Sequence, residues 1–107
     1  MTEADFWRED GHFRMLVEGH AGFDSQGRDI VCAAASMLAQ TMMRWAAEHE
    51  SCIRRFVAVE FGDGRAELDF WTEGDGIREA DVAFGVIEGG FRLLAERYPE
   101  HVRMKEG

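Results

Sequence analysis

Basic residues are scarce in this chain: 12 Lys and Arg stand against 21 Asp and Glu, for a formal net charge of −9. Phosphate binding needs a concentrated basic face, so this balance argues against nucleic acid as a direct partner and suits a basic protein substrate better. Cysteines number two, Cys32 and Cys52. That is too few for a disulfide framework, and nothing marks the chain for export, so they read as two free thiols rather than a bridge. No apolar run approaches the roughly 18–20 residues of a membrane span. The opening Met1-Thr2-Glu3-Ala4-Asp5 lacks the basic-then-apolar order of a signal peptide. The expected location is the cytoplasm. With a single proline and no repeat or low-complexity segment, the chain has no stretch that reads as a linker.

What is present is ordinary globular material, 46% hydrophobic and 31% charged over 107 residues. A chain of this size builds one core but not two, so residues 1–107 are expected to form a single domain. Alternating apolar positions predict strands over about 2–8 and 12–18, joined by a tight turn at Asp10-Gly11. Two further strands are expected over about 52–61, where Val57, Val59 and Phe61 alternate, and 66–72, with Gly62-Asp63-Gly64 as their turn. Asp29 is a good N-cap for a helix from Ile30 to about His49, uncharged from Ile30 to Met43. A helix that apolar needs cover on more than one side: a second helix, and a second subunit. The second helix is expected from about Ile77 to Tyr98, its stripe Ala80, Phe84, Ile87 and Phe91 stepping by three and four. Gly85, Gly89 and Gly90 in it read as points of close backbone approach, and Met15, Met37, Met42 and Met43 as core filling. Pro99 ends the helix before a short strand over about 102–105. The order ββαββα(β) predicts the α+β class: a mostly antiparallel sheet with two main helices, as a two-layer or sandwich arrangement.

The chemistry concentrates between residues 19 and 36. His20 and Cys32 flank a short loop, Gly22-Phe23-Asp24-Ser25-Gln26-Gly27. A free thiol has a pKa near ~8.5, and lowering it by two units takes about 2.7 kcal/mol. A helix N-terminus supplies roughly 0.3–1 kcal/mol, and ~2 at most. The helix alone falls short, so an imidazolium must provide the rest, and His20 is the nearest candidate in sequence. On this reading Cys32 attacks a carbonyl and His20 takes its proton and later protonates the leaving amine. Backbone N–H groups at the helix start are positioned for an oxyanion. Asp29 holds the turn and is a candidate to orient His20, and Ser36 lies one turn further along the same helix face. The 22–27 loop is expected to move to admit substrate. The competing reading makes Cys32 a small buried hydrophobe and His20 a solvated strand end. Cys32, Cys52, His12 and His20 show no zinc-site spacing, so no metal or other cofactor is expected; Cys52, His12, His49 and His101 read as structural or solvated.

Gly19-His20-Ala21, the glycine-punctuated loop and Gly27-x-Asp29-Ile30-Val31-Cys32-Ala33-Ala34-x-Ser36 closely resemble the signature of the ribosomal-processing cysteine protease family, Prp or YsxB-like. Tyr98-Pro99-Glu100 after the second helix extends the resemblance. The resemblance implies that Cys32 is the nucleophile and His20 its partner, with Gly19, Asp29 and Ser36 supporting the site. It implies an α/β sandwich that forms a homodimer. It also implies a substrate: the N-terminal extension of ribosomal protein twenty-seven of the large subunit, cut after an aromatic pair and before a small residue. The alternative from another class is a non-enzymatic ribosome-associated or dimerisation module with a packed or redox-sensing Cys32.

Overall fold

The structure, a computed structural model, describes residues 1–105. Strands β1 (Thr2–Glu9) and β2 (His12–Glu18) precede helix α1 (Ile30–Glu48) and a single 3-10 turn, Glu50–Cys52. Strands β3 (Ile53–Gly62) and β4 (Arg65–Thr72), helix α2 (Asp75–Arg97) and strand β5 (Val102–Met104) complete the chain. The five strands form one sheet in the order β3-β4-β2-β1-β5. Every pairing is antiparallel except β1 with β5. This is the expected α+β fold.

Local chemistry sets the elements. Asp10 and Gly11 both take positive φ, 50° and 88°, and connect Glu9 to His12 as a two-residue hairpin turn whose twist matches the strands. Alternation puts Phe13, Met15 and Val17 of β2 and Leu68 and Phe70 of β4 on one face of the sheet. Both helices bury their stripes on that face. Ala35, Ala39 and Ala46 let α1 lie close to the sheet, while α2 contributes the bulk of Phe84 and Phe91. The other face is polar: Arg14 donates two hydrogen bonds to Glu67, and His12 bonds to Asp69 while stacked on Trp71.

The strand expected over about 52–61 forms as β3, an edge strand of the sheet on which Val57, Val59 and Phe61 are exposed. Two expectations change. Met37 is 62% exposed on the outer side of α1 rather than in the core, whereas Met15 and Met42 are fully buried. Of Gly85, Gly89 and Gly90, only Gly90 is closely approached, and by the Leu38 side chain rather than by backbone, while Gly89 faces open space; the close backbone approach to α2 falls at Gly76, where a Cβ would sit 2.7 Å from the Cys52 carbonyl oxygen.

Phe84 is fully buried, with ring centroids 5.0 Å from Phe6 and 5.3 Å from Phe13. Phe84→Ala is expected to cost about 3–5 kcal/mol in urea unfolding. Val57→Ala, on the uncovered strand, is expected to cost less than about 1 kcal/mol in the same measurement.

Candidate active site

Beyond β2 the chain turns through Gly19, whose φ of 90° and lack of Cβ let it pass against the Met1 carbonyl. The next carbonyls are all taken. Gly19 O accepts from Thr2 Oγ1 at 3.1 Å, His20 O from the Met1 nitrogen at 2.7 Å, and Ala21 O from His101 Nδ1 at 3.0 Å. The Gly19 N–H donates to Gly64 O at 2.8 Å. The Ala21 N–H has a different target: it donates to Cys32 Sγ at 3.3 Å.

Cys32 is the third residue of α1, half-buried, in the first turn as its spacing from Asp29 requires. His20 Nδ1 lies 3.9 Å from Cys32 Sγ. On the opposite edge of the ring, His20 Nε2 lies 3.3 Å from Asp63 Oδ1. The two ring nitrogens thus face different partners, and with its hydrogen on Nε2 the ring directs the Nδ1 lone pair at the sulfur. The ring rests on Gly64, where a Cβ would sit 3.1 Å from Nε2. Gly64, with φ of +71°, is therefore required both by the β3–β4 turn and by the imidazole above it.

Asp29 caps α1 as expected, and does more. Its Oδ1 accepts the Cys32 N–H at 2.8 Å, while Oδ2 accepts those of Phe23 at 2.9 Å and Asp24 at 3.3 Å. Burial pushes the Asp29 carboxyl up, but the N–H groups of Cys32, Phe23, Asp24 and Val31 together outweigh it and hold the carboxyl below the ordinary aspartate value. Two expectations are corrected here. Asp29 bonds to its own loop and helix, and the carboxylate beside His20 is Asp63. Of the helix-start donors expected to meet an oxyanion, the Cys32 N–H is instead held by the Asp29 side chain.

Gly22, Asp24, Gln26 and Gly27 of the loop wall a groove of about 700 Å³. Cys32 and His20 lie in it, with Ser36 and Ala39 along α1 and Phe61 and Ala66 from the β3–β4 hairpin. Ser36 Oγ accepts from Gln40 Nε2 at 3.0 Å. Phe23 turns away from the groove, its ring 5.5 Å from Tyr98 and 5.4 Å from His101, and the Ser25 N–H donates to Asp24 Oδ1 at 2.7 Å. Sequence reasoning missed Asp63, Gly64, the Ala21 N–H and His101. Asp63-Gly64 is legible as a turn, but no local pattern says which histidine it meets. Among the described residues, no group of three or more His, Cys, Asp or Glu is arranged to hold a metal ion. No helix among them is long and apolar enough to cross a membrane.

A thiol and an imidazole facing each other across a groove, on an α+β scaffold, are the equipment of a thiol peptidase. The chain belongs to the family described as Cysteine protease Prp, whose sequence model matches residues 1–103, and it is a cysteine protease. No curated protein matches it in sequence. Among solved structures it is similar to SMU.848 from Streptococcus mutans, at 30% identity over 98% of this chain and 92% of that one, with a TM-score of 0.74. It shares its fold with an essential ribosomal processing protease Prp from S. aureus, solved with a covalently linked product peptide, at 20% identity over 98% of both chains and a TM-score of 0.74. The same S. aureus protease with a substrate peptide gives 20% identity, the same coverage and a TM-score of 0.70.

Asp29→Ala strips a shared acceptor from three N–H groups and is expected to cost roughly 2–4 kcal/mol by denaturant titration. Because the folded carboxyl titrates below its unfolded value, its stabilisation is complete above the ordinary aspartate range and is lost as pH falls through the folded value. The stability difference between wild type and Asp29→Asn is therefore expected to hold level from pH 8 to 5 and to narrow only in stronger acid.

Proposed function

We propose that this chain is an endopeptidase that removes the N-terminal extension of ribosomal protein twenty-seven of the large subunit, in the cytoplasm, with Cys32 as nucleophile and His20 as its proton partner. The observation that carries this reading is the 3.9 Å approach of Cys32 Sγ to His20 Nδ1 within a groove large enough for an extended peptide. The S. aureus structures, of a ribosomal processing protease with substrate and product peptides, support the substrate class. The net charge of −9 suits a basic ribosomal precursor.

In this mechanism His20 Nδ1 takes the Cys32 proton as the sulfur bonds to the scissile carbonyl carbon. The carbonyl electron pair moves to oxygen, giving a tetrahedral oxyanion. The Ala21 N–H, already directed at the sulfur, is the backbone donor assigned to that oxyanion. Collapse breaks the C–N bond, His20 passes its proton to the leaving amine, and a thioester remains on Cys32. Water, with His20 as base, then releases the acid and restores the thiol. The 3.9 Å separation is longer than a working hydrogen bond and closes when substrate displaces the 22–27 loop. Gly19 and Asp29 support the site by shaping the backbone on either side of the pair, and Ser36 by facing the groove.

Cys32→Ala and His20→Ala are each expected to lower cleavage of a peptide carrying an aromatic pair before the scissile bond by a thousandfold or more, on the order seen when a nucleophile or its base is removed. Undiminished cleavage by Cys32→Ala would refute the mechanism. Asp63 and His20 are both more than half exposed, so Asp63→Asn is expected to cost less than about tenfold, unlike a buried triad acid. Mass spectrometry of the host's ribosomal protein, with and without this gene, reads the substrate directly: the extension persists only when the gene is absent.

The proposed homodimer buries the apolar strip of the helix layer, where Ile30, Met37, Val86 and Leu93 are half or more exposed. Sedimentation is expected to give a dimer for wild type and a monomer for Val86→Glu/Leu93→Glu. A wild-type monomer at micromolar concentration contradicts this.

A further inference from the structure

The backbone N–H of Ala21 is directed at the Cys32 sulfur, so whatever orients Ala21 bears on that donor. Its methyl group is buried in a small cluster with Val31 and Val102, closed by Leu94, Ala95 and Tyr98. This apolar contact fixes where the residue sits, not how its peptide planes are rotated. Rotation is set by the groups on its two amides: the plane that carries the Ala21 N–H is held through the His20 carbonyl by the Met1 nitrogen at 2.7 Å, and the following plane, without which the backbone at Ala21 is free to turn, is held through the Ala21 carbonyl. The carbonyl of Ala21 accepts a hydrogen bond at 3.0 Å from Nδ1 of His101, which lies 80 positions away in the turn between α2 and β5. A carbonyl only accepts, so His101 is the Nδ1–H tautomer. The His101 backbone is itself held at both ends: its N–H donates to Tyr98 O and its carbonyl accepts from Thr2 N, both at 2.9 Å. The same imidazole also lies edge-on against Phe23, 5.4 Å between centroids, and so touches the loop that walls the groove.

We propose that His101 is a positioning residue for the protease reaction: its Nδ1–H, bound to the Ala21 carbonyl, holds the Ala21 N–H on the Cys32 sulfur and stabilises the thiolate. This rests on Cys32 being the nucleophile, and it assigns to His101 a role that its distance from the sulfur in sequence conceals. An asparagine side chain places an amide N–H near the position of imidazole Nδ1, whereas leucine fills similar space without a donor. The pair therefore separates hydrogen bonding from packing.

The test measures alkylation of Cys32 by iodoacetamide at pH 7, read by peptide mass spectrometry, beside cleavage of a peptide with an aromatic pair before the scissile bond. His101→Leu is expected to slow both by about ten- to fiftyfold, the range of a hydrogen bond to a charged group. His101→Asn is expected to restore both to within about threefold of wild type. Thermal melting of each variant identifies a merely structural role, which would lower the melting temperature of His101→Leu while leaving alkylation of the folded protein unchanged. That outcome, or equal alkylation by His101→Leu and wild type, overturns the inference; Cys32→Ala still inactive beside it leaves the nucleophile assignment standing. Cleavage surviving in Cys32→Ala overturns both together. Should His101→Leu not fold, histidine-labelled NMR of the wild-type protein decides the matter: a hydrogen on Nδ1 of His101 is expected, and the Nε2–H tautomer overturns the inference.

Discussion

The hydrogen bond from the Ala21 N–H to the Cys32 sulfur joins the two halves of the site. One half is the end of β2, where Gly19, His20 and Ala21 are bonded to Thr2, Met1, Gly64 and His101. The other is the first turn of α1, held by Asp29. Neither half alone places a base against a sulfur. The sheet supplies a rigid frame for His20, the helix supplies the thiol, and this contact sets the distance between them. The rest of the fold serves to bring chain ends from β1 and β5 to a segment 80 residues from one of them in sequence.

That arrangement changes where the stabilisation of a sulfur anion comes from. A bare helix N-terminus would contribute through its unpaired N–H groups, but here Asp29 takes the Cys32 N–H with its carboxylate. The cap secures the helix and pins the first part of the loop through Phe23 and Asp24. Its negative charge opposes a second anion close by. In the proposed mechanism, favouring a thiolate therefore falls to the His20 imidazole and the Ala21 donor, both of which arrive from the strand side. Cys52 shows the reverse situation: the Glu79 carboxylate accepts its S–H and pushes that thiol up, toward the inert form.

Features encoded by near neighbours were legible in the sequence. Strand alternation, the Asp10-Gly11 turn, the Asp29 cap and the three-and-four stripe of α2 each depend on residues within one or two turns of chain, and each was readable there. The pairing of His20 with Cys32 was suggested by their short separation and by a resembling motif. Features that depend on which elements meet were not legible. Val57, Val59 and Phe61 carry the alternation of a half-buried strand, yet sheet order leaves that part of β3 outside the cover of the helices. Asp63, Gly64 and His101 look like turn residues locally and gain their partners only when β4 pairs with β2 and β5 with β1.

The uncovered strand has a consequence for the groove. Because the helices leave the Val57–Phe61 part of β3 uncovered, Phe61 and its neighbours leave an open apolar wall opposite Ser36 and Ala39 of α1, with Cys32 and His20 in the same groove. A polypeptide lying there presents its backbone to the sulfur. The most direct measurement is therefore to treat the protein with a peptidyl chloromethyl ketone bearing an aromatic pair and to map the adduct by mass spectrometry. The account predicts one adduct, on Cys32, with Cys52 unmodified. Labelling of Cys52, or no labelling of Cys32 in folded protein, would contradict it.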